Sequence, residues 1–183
     1  MLEIVDREIV PALDAVGREY EAGRKFLPQL LLSAKTVSRA FEVLKRALAE
    51  SGQVQETKGT LIMATVAGDI HDIGKNIVIA MLENYGYTVI DLGKDVKAET
   101  IVETAIARKV SLIGLSALMT TTVSSMEETI RALREAEKRA GMTFKIAVGG
   151  AVLTEAYAKE IGADFYGKDA MATVAIARQV FGK

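Results

Sequence analysis

The only histidine of this 183-residue chain, His71, lies in the run Gly68-Asp69-Ile70-His71-Asp72-Ile73-Gly74-Lys75-Asn76. An imidazole with a carboxylate two positions away suits a metal ligand whose orientation is fixed by a hydrogen-bond acceptor. Taken alone, a lone loop histidine is more often a surface or satisfied polar group than a ligand. Zinc wants about four protein ligands, or three and a water. The chain offers no cysteine and no second histidine. A metal at His71 must therefore bring most of its own ligands. A macrocycle-bound metal does this and leaves one axial position for the protein, so haem and corrinoid are the candidates.

The elements around His71 can be read from pattern. Leu61 to Ala67 is an apolar run that reads as a buried strand, and Asn76 to Tyr85 reads as a helix closed by Gly86. A strand leading through a loop into a helix is where open α/β sheets bind ligands. The alternation then continues. Strands are expected at 87–91, 110–116, 145–148 and 164–166, with helices at 98–109, 124–140, 155–161 and 170–181. Short apolar strands alternating with helices predict an α/β fold, a parallel sheet covered on both faces. Five strands favour the flavodoxin-like (Rossmann-type) order 2-1-3-4-5. In that order the loops after strands 1, 3 and 4 meet at one sheet end. They read Gly68 to Gly74, Ser116-Ala117-Leu118-Met119-Thr120-Thr121-Thr122 and Gly149-Gly150. Turn chemistry alone explains many such glycines, and N-capping of the next helix is an equally plain reading of the threonine run.

Residues 1–52 follow a different regime. Ile4, Val5, Ile9, Leu13, Val16 and Tyr20 recur at helical spacing. Pro11 interrupts this helix or starts a new one, and Gly23 ends it. A second helix follows Pro28, with Leu30, Leu31, Ala34, Val37, Phe41, Leu44 and Leu48 on one face. Ser51-Gly52-Gln53 breaks the pattern, and a polar linker leads into a second domain at 60–183.

Composition narrows the class. Half the residues are apolar, which supports a substantial core, and the net charge of −1 argues against a nucleic-acid binder. Absence of cysteine excludes disulfides and thiolate chemistry and fits a cytoplasmic setting. The acidic start, Glu3, Asp6 and Glu8, is unlike a secretory leader. No apolar run approaches the roughly 20 residues that span a bilayer, so no membrane partner is expected.

Asp69-x-His71-x-x-Gly74, then Ser116-x-Leu118, then Gly149-Gly150 resembles the cobalamin (vitamin B12)-binding domain family. The longer run Gly68 to Asn76 is most similar to its methyl-transferring branch, cobalamin-dependent methionine synthase and the corrinoid proteins of methyltransferase systems. The resemblance covers nearly the whole chain. It implies that His71 is the lower axial cobalt ligand, with Asp69 and Thr122 as a proton relay behind it. It also implies that Gly68, Ile70, Asp72, Gly74, Ser116, Leu118, Thr120, Gly149, Gly150 and Ala170 contact the cofactor. Of these, Ser116 and Thr120 would bond the buried nucleotide tail, and Leu118 would form an apolar wall.

Val16-Gly17-x-x-Tyr20-x-x-Gly23-x-x-Phe26-Leu27-Pro28-x-Leu30 resembles the family's helical cap, implying that Tyr20, Leu27 and Leu30 shield the upper cobalt face. Helix-core packing explains Leu30 as well. The cap is usually a four-helix bundle, and this chain shows half of one. The missing half is expected from a second subunit, giving a homodimer, or from a longer chain.

The resemblance therefore implies a corrinoid methyl carrier, not a complete enzyme alone. It would cycle cob(I)alamin and methylcob(III)alamin between a methyl donor and an acceptor such as homocysteine or tetrahydrofolate. Donor and acceptor methyltransferases and a reductive activation partner are implied with it. Three rivals stand beside this reading: an adenosylcobalamin mutase subunit, a cobalamin sensor or regulatory module, and a receiver or FMN domain using Asp69, Asp72 and Lys168.

Overall fold

The computed structural model describes residues 5–50 and 57–182, which form two compact units. Ile4 and the expected break at 51–53 lie outside the described residues, as do the side chains of Val5, Phe41, Leu44 and Leu48.

The first unit spans 1–57 and includes Asn84–Gly86. A wide π-helical turn at Val5–Ile9 runs into α1, Val10–Glu21, with Pro11 in its first turn. Proline is tolerated there because the amide it lacks would have had no helical partner. Gly23, at φ +71°, ends the helix in the left-handed conformation that favours glycine. Helix α2, Leu27–Glu50, begins where Gln29 Oε1 accepts from the Phe26 amide at 2.6 Å. Leu13, Leu30 and Ala34 are buried. Asn84 Nδ2 donates to the Ala34 carbonyl at 3.0 Å, and the Tyr85 hydroxyl donates to Asp14 Oδ1 at 2.8 Å.

The second unit spans 58–83 and 87–183. Its strands are β1 Thr60–Thr65, β2 Thr88–Asp91, β3 Leu112–Ser116, β4 Lys145–Gly149 and β5 Phe165–Tyr166. They form one parallel sheet in the order β2-β1-β3-β4-β5, as the sequence predicts. The helices are α3 Ile73–Asn84, α4 Ala98–Arg108, α5 Val123–Ala140, α6 Glu155–Glu160 and α7 Ala170–Phe181. The central strands β1 and β3 are buried almost throughout, because a sheet with helices on both faces has no solvent side, whereas edge strand β2 has exposed ends. Ile62, Ala64, Ile113, Leu115, Ile146 and Val148 are buried in one cluster with Ile101, Met126, Ile130 and Leu133 from the helices.

Register positions the site. Thr65 pairs with Ser116, and Ser116 with Gly149, so the strand ends form a row from which the β1, β3 and β4 loops emerge. Helix α3 starts at Ile73, three residues ahead of the expected Asn76. Thr154 and Asp169 N-cap α6 and α7 through bonds to Tyr157 and Ala172. Among the described residues no helix is long and apolar enough to cross a membrane.

Candidate functional site

The β1 loop turns at Gly68, at φ +81°, and presents Asp69, which is fully buried. Both carboxylate oxygens are committed. Oδ1 accepts from the His71 amide at 2.9 Å and contacts His71 Nδ1 at 2.9 Å. Oδ2 accepts from the Leu118 amide at 2.7 Å, the Met119 amide at 3.3 Å and the Thr122 hydroxyl at 2.8 Å. One side chain thus joins the β1 and β3 loops. Burial pushes its pKa up, but the His71 and Leu118 amides, the Thr122 hydroxyl and the His71 ring outweigh burial and hold Asp69 well below the usual carboxylate range.

That charge state fixes the tautomer of His71. An ionised carboxylate can only accept, so Nδ1 carries the proton and Nε2 keeps its lone pair. Among the described residues Nε2 makes no hydrogen bond, and the side chain is 45% exposed. The arrangement is an oriented, basic nitrogen open to a ligand. Among the described residues no cluster of three or more His, Asp or Glu could hold a bare ion. The residues therefore fit a metal that carries its own equatorial ligands. Ile70 (62% exposed), Ile73 (78%), Leu118 and Met119 supply exposed apolar surface on the same loops.

Thr122 closes a short 3-10 turn, Thr120–Thr122, before α5. The N-capping reading fails at this position. Thr122 makes no side-chain cap bond, because its hydroxyl faces Asp69 Oδ2 and the Met119 carbonyl. Thr120 is exposed in the same turn, and Leu118 contributes its amide to Asp69 while its side chain remains exposed. The Ser116 hydroxyl lies 2.8 Å from Thr65 Oγ1. Strand patterning gave no sign of Thr65, because it reads as one more buried strand position.

The glycines separate into two groups. At Gly150, φ is +145° and a Cβ would lie 1.8 Å from the Ala117 carbonyl oxygen; at Gly149 it would lie 2.9 Å from the Gly167 carbonyl oxygen. The approach of the chain to itself accounts for both. At Gly74 a Cβ would meet nothing within 4 Å, so the fold leaves open space there. Asp72 is half-buried and its carbonyl accepts from the Asn76 amide at 2.8 Å. Ala170 is buried at the start of α7. In the helical unit Tyr20 is half-buried, Leu27 is exposed and Leu30 is fully buried.

A second support escaped the sequence reading. Lys75 Nζ is buried and donates to Asp91 Oδ1 at 2.6 Å and to Asn76 Oδ1 at 2.8 Å. Lys75 and Asp91 looked like ordinary helix and strand-end residues, and nothing local in the sequence pairs them.

Residues 59–175 match a family described as B12 binding domain, and residues 1–45 match a second one of the same description. A corrinoid protein of Desulfitobacterium hafniense is 39% identical over 100% of this chain and 84% of its own length. Dimethylamine corrinoid protein 1 of Methanosarcina acetivorans is 38% identical over 97% and 82%. The solved methanol:cobalamin methyltransferase complex of Methanosarcina barkeri superposes with a TM-score of 0.80 at 31% identity, over 98% of this chain and 67% of that one. A flavodoxin-like sheet with one oriented histidine at its switch point defines a cofactor-binding α/β protein. The chain belongs to the B12-binding domain family, in its methyl-transferring group, and cobalamin is its cofactor.

Proposed function

We propose that this chain is the corrinoid-bound methyl carrier of a methyltransferase system. The observation that carries the proposal is the double commitment of Asp69, which holds His71 Nδ1 and leaves Nε2 for cobalt. Bound cobalamin supplies the chemistry of accepting and releasing a methyl group, as cofactors commonly do. His71 would hold the cobalt of the cofactor through Nε2. Asp69 fixes its tautomer and raises its basicity, and the Thr122 hydroxyl holds Asp69 from behind as the outer member of the relay. Gly74 leaves room for the cofactor's approach, and the row of Thr65, Ser116 and Gly149 borders the slot for its nucleotide tail. Helices α1 and α2 correspond to the family's cap, and Tyr20 and Leu27 are its candidate cofactor residues.

Relatives named for dimethylamine and methanol systems support a donor that is a small methylated alcohol or amine, delivered by a separate methyltransferase. This donor class is favoured over a methionine synthase fragment. Homocysteine, tetrahydrofolate or another thiol or pterin is the acceptor class, and a reductive activation partner restores oxidised cobalt.

The test is to load the chain with methylcobalamin, reduce it to the Co(II) state and record EPR spectra for wild type and His71→Ala. Nitrogen coupling from the protein imidazole in wild type, lost in the variant, is expected; identical spectra would remove His71 as ligand. After further reduction to Co(I), adding methanol or methylamines with their methyltransferases should methylate the cobalt, with water or the demethylated amine as the leaving product. A chain that binds cobalamin but is methylated by none of them would favour a sensor module.

A further inference from the structure

The loop between β2 and α4 has no role in the site described above, yet it is bonded to the histidine loop. The Asp95 amide donates to the Asp69 carbonyl at 3.0 Å, and the Gly68 amide donates to Asp95 Oδ1 at 2.7 Å. Asp95 thus brackets Gly68 and Asp69 from both sides. It does so at φ +54°, a left-handed backbone that costs a non-glycine residue about 1 kcal/mol or more and that aspartate tolerates better than most. Strain of this kind persists where the surroundings over-determine it. Here the Val96 amide donates to the Thr65 carbonyl at 3.0 Å, and the Thr65 amide to the Gly93 carbonyl at 3.0 Å. Asp91 Oδ1 accepts both Lys75 Nζ at 2.6 Å and the Gly93 amide at 2.9 Å. The loop is therefore pinned to β1 and to the start of α3 before it reaches Asp69.

We propose that Asp95 is a positioning residue for the cobalt-facing imidazole. The Asp69 carboxylate has to meet His71 on one oxygen and the β3 loop on the other, and only a fixed backbone at 68–69 lets it do both. Placing a functional group reliably requires a support held to within about 0.5 Å. Asp95 supplies that support without touching His71. The inference rests on His71 being the axial ligand.

The experiment uses the full chain as wild type, Asp95→Asn and Asp95→Gly, each loaded with cobalamin and reduced to Co(II). Glycine accommodates the backbone but removes the acceptor, whereas asparagine keeps both the acceptor and the tolerance for positive φ. Removing the direct partner of a metal-bound histidine costs about 10–100-fold in affinity. Asp95 is one step further out, so Asp95→Gly should lower the ratio of histidine-bound to histidine-free cobalt by about threefold to tenfold. Asp95→Asn should retain it. In the apoproteins the His71 ring-nitrogen resonances should move in Asp95→Gly and stay in Asp95→Asn. Should Asp95→Gly not fold in buffer alone, it and wild type are compared in sucrose, which favours the compact state. Wild-type imidazole coupling with unchanged ratio and resonances in the acceptor-lacking variant overturns the role of Asp95. So does a loss in Asp95→Asn as large as in Asp95→Gly. Absence of imidazole coupling in wild type itself overturns the axial-ligand reading instead.

Discussion

Asp69 holds its site together through opposed sets of donors, which makes its replacement costly in a calculable way. In Asp69→Asn the amide nitrogen must face one of those sets, so at least one buried donor loses its acceptor. Leaving a buried donor unsatisfied costs about 1–3 kcal/mol, and more where a charged partner is lost. Thr122→Val removes one donor but leaves the Leu118 and Met119 amides on Oδ2, and should cost about 1 kcal/mol. Urea denaturation of the apoproteins should rank Asp69→Asn well below Thr122→Val and wild type; the reverse order would contradict the hub. Gly74 gives the opposite test. It is helical, and a Cβ there meets nothing within 4 Å, so alanine should raise apoprotein stability by about 0.5 kcal/mol. If that space belongs to the cofactor, the same Gly74→Ala protein should retain less cobalamin through gel filtration. Equal retention would leave Gly74 without a role in cofactor binding. At this scale the sequence revealed types and spacings. It named His71, Asp69 and Thr122, but not Thr65 or Asp95, because a strand threonine looks like core and a positive φ leaves no local trace in an aspartate.

At the scale of elements, alternation and turn residues carried the reading far. The five strands and their order followed from apolar runs of strand length separated by helical periodicity. The start of α3 slipped where a polar side chain is paired across elements. Helix α3 begins at Ile73, with Gly74 and Lys75 inside it, and the buried Lys75 ammonium meets Asp91 on a distant strand end, a pairing that no local pattern announces. A second pairing across elements involves α5. Arg134 on α5 donates to the Phe144 and Gly162 carbonyls and, at 2.7 Å, to Asp164 Oδ2. Asp164 also accepts from the Ile146 amide at 2.8 Å. Burial raises the Asp164 pKa, but the Arg134 guanidinium and the Ile146 amide outweigh it and leave the carboxyl below its ordinary value. The sign follows from linkage. The folded form holds its charge more tightly than the unfolded chain. The stabilisation is complete above the unfolded value of about 3.9 and fades as pH falls through the lower folded value. Urea midpoints measured from neutral to acid pH should therefore drop below about pH 5 in wild type. Asp164→Asn should start lower and show a shallower drop. Parallel curves would mean that other carboxylates govern the acid limb.

At the scale of the whole molecule, the question is how much of the cofactor the α/β unit grips. The strand-end row Thr65, Ser116 and Gly149 precedes the β1, β3 and β4 loops in the chain. A protein ligand at cobalt displaces the cofactor's own base, whose arm must then lie elsewhere. If the arm enters beside this row, affinity divides between the histidine end and the tail end, and the two can be measured separately. Cobalamin at 100 times its dissociation constant should stabilise the chain by about 2.7 kcal/mol. A corrinoid without the nucleotide arm, bound tenfold more weakly at the same concentration, should give about 1.4 kcal/mol. Ser116→Ala should lower the gain from cobalamin toward that of the armless corrinoid and leave the armless gain unchanged if, beyond Thr65, the hydroxyl contacts only what the arm brings. Thermal melts of both proteins with both corrinoids supply all four values. Equal gains from the two corrinoids in wild type would place the arm in solvent, and Ser116 would then do no more than pair with Thr65. A loss in Ser116→Ala common to both ligands would instead mean that the Thr65–Ser116 pair braces the strand ends beneath the histidine loop.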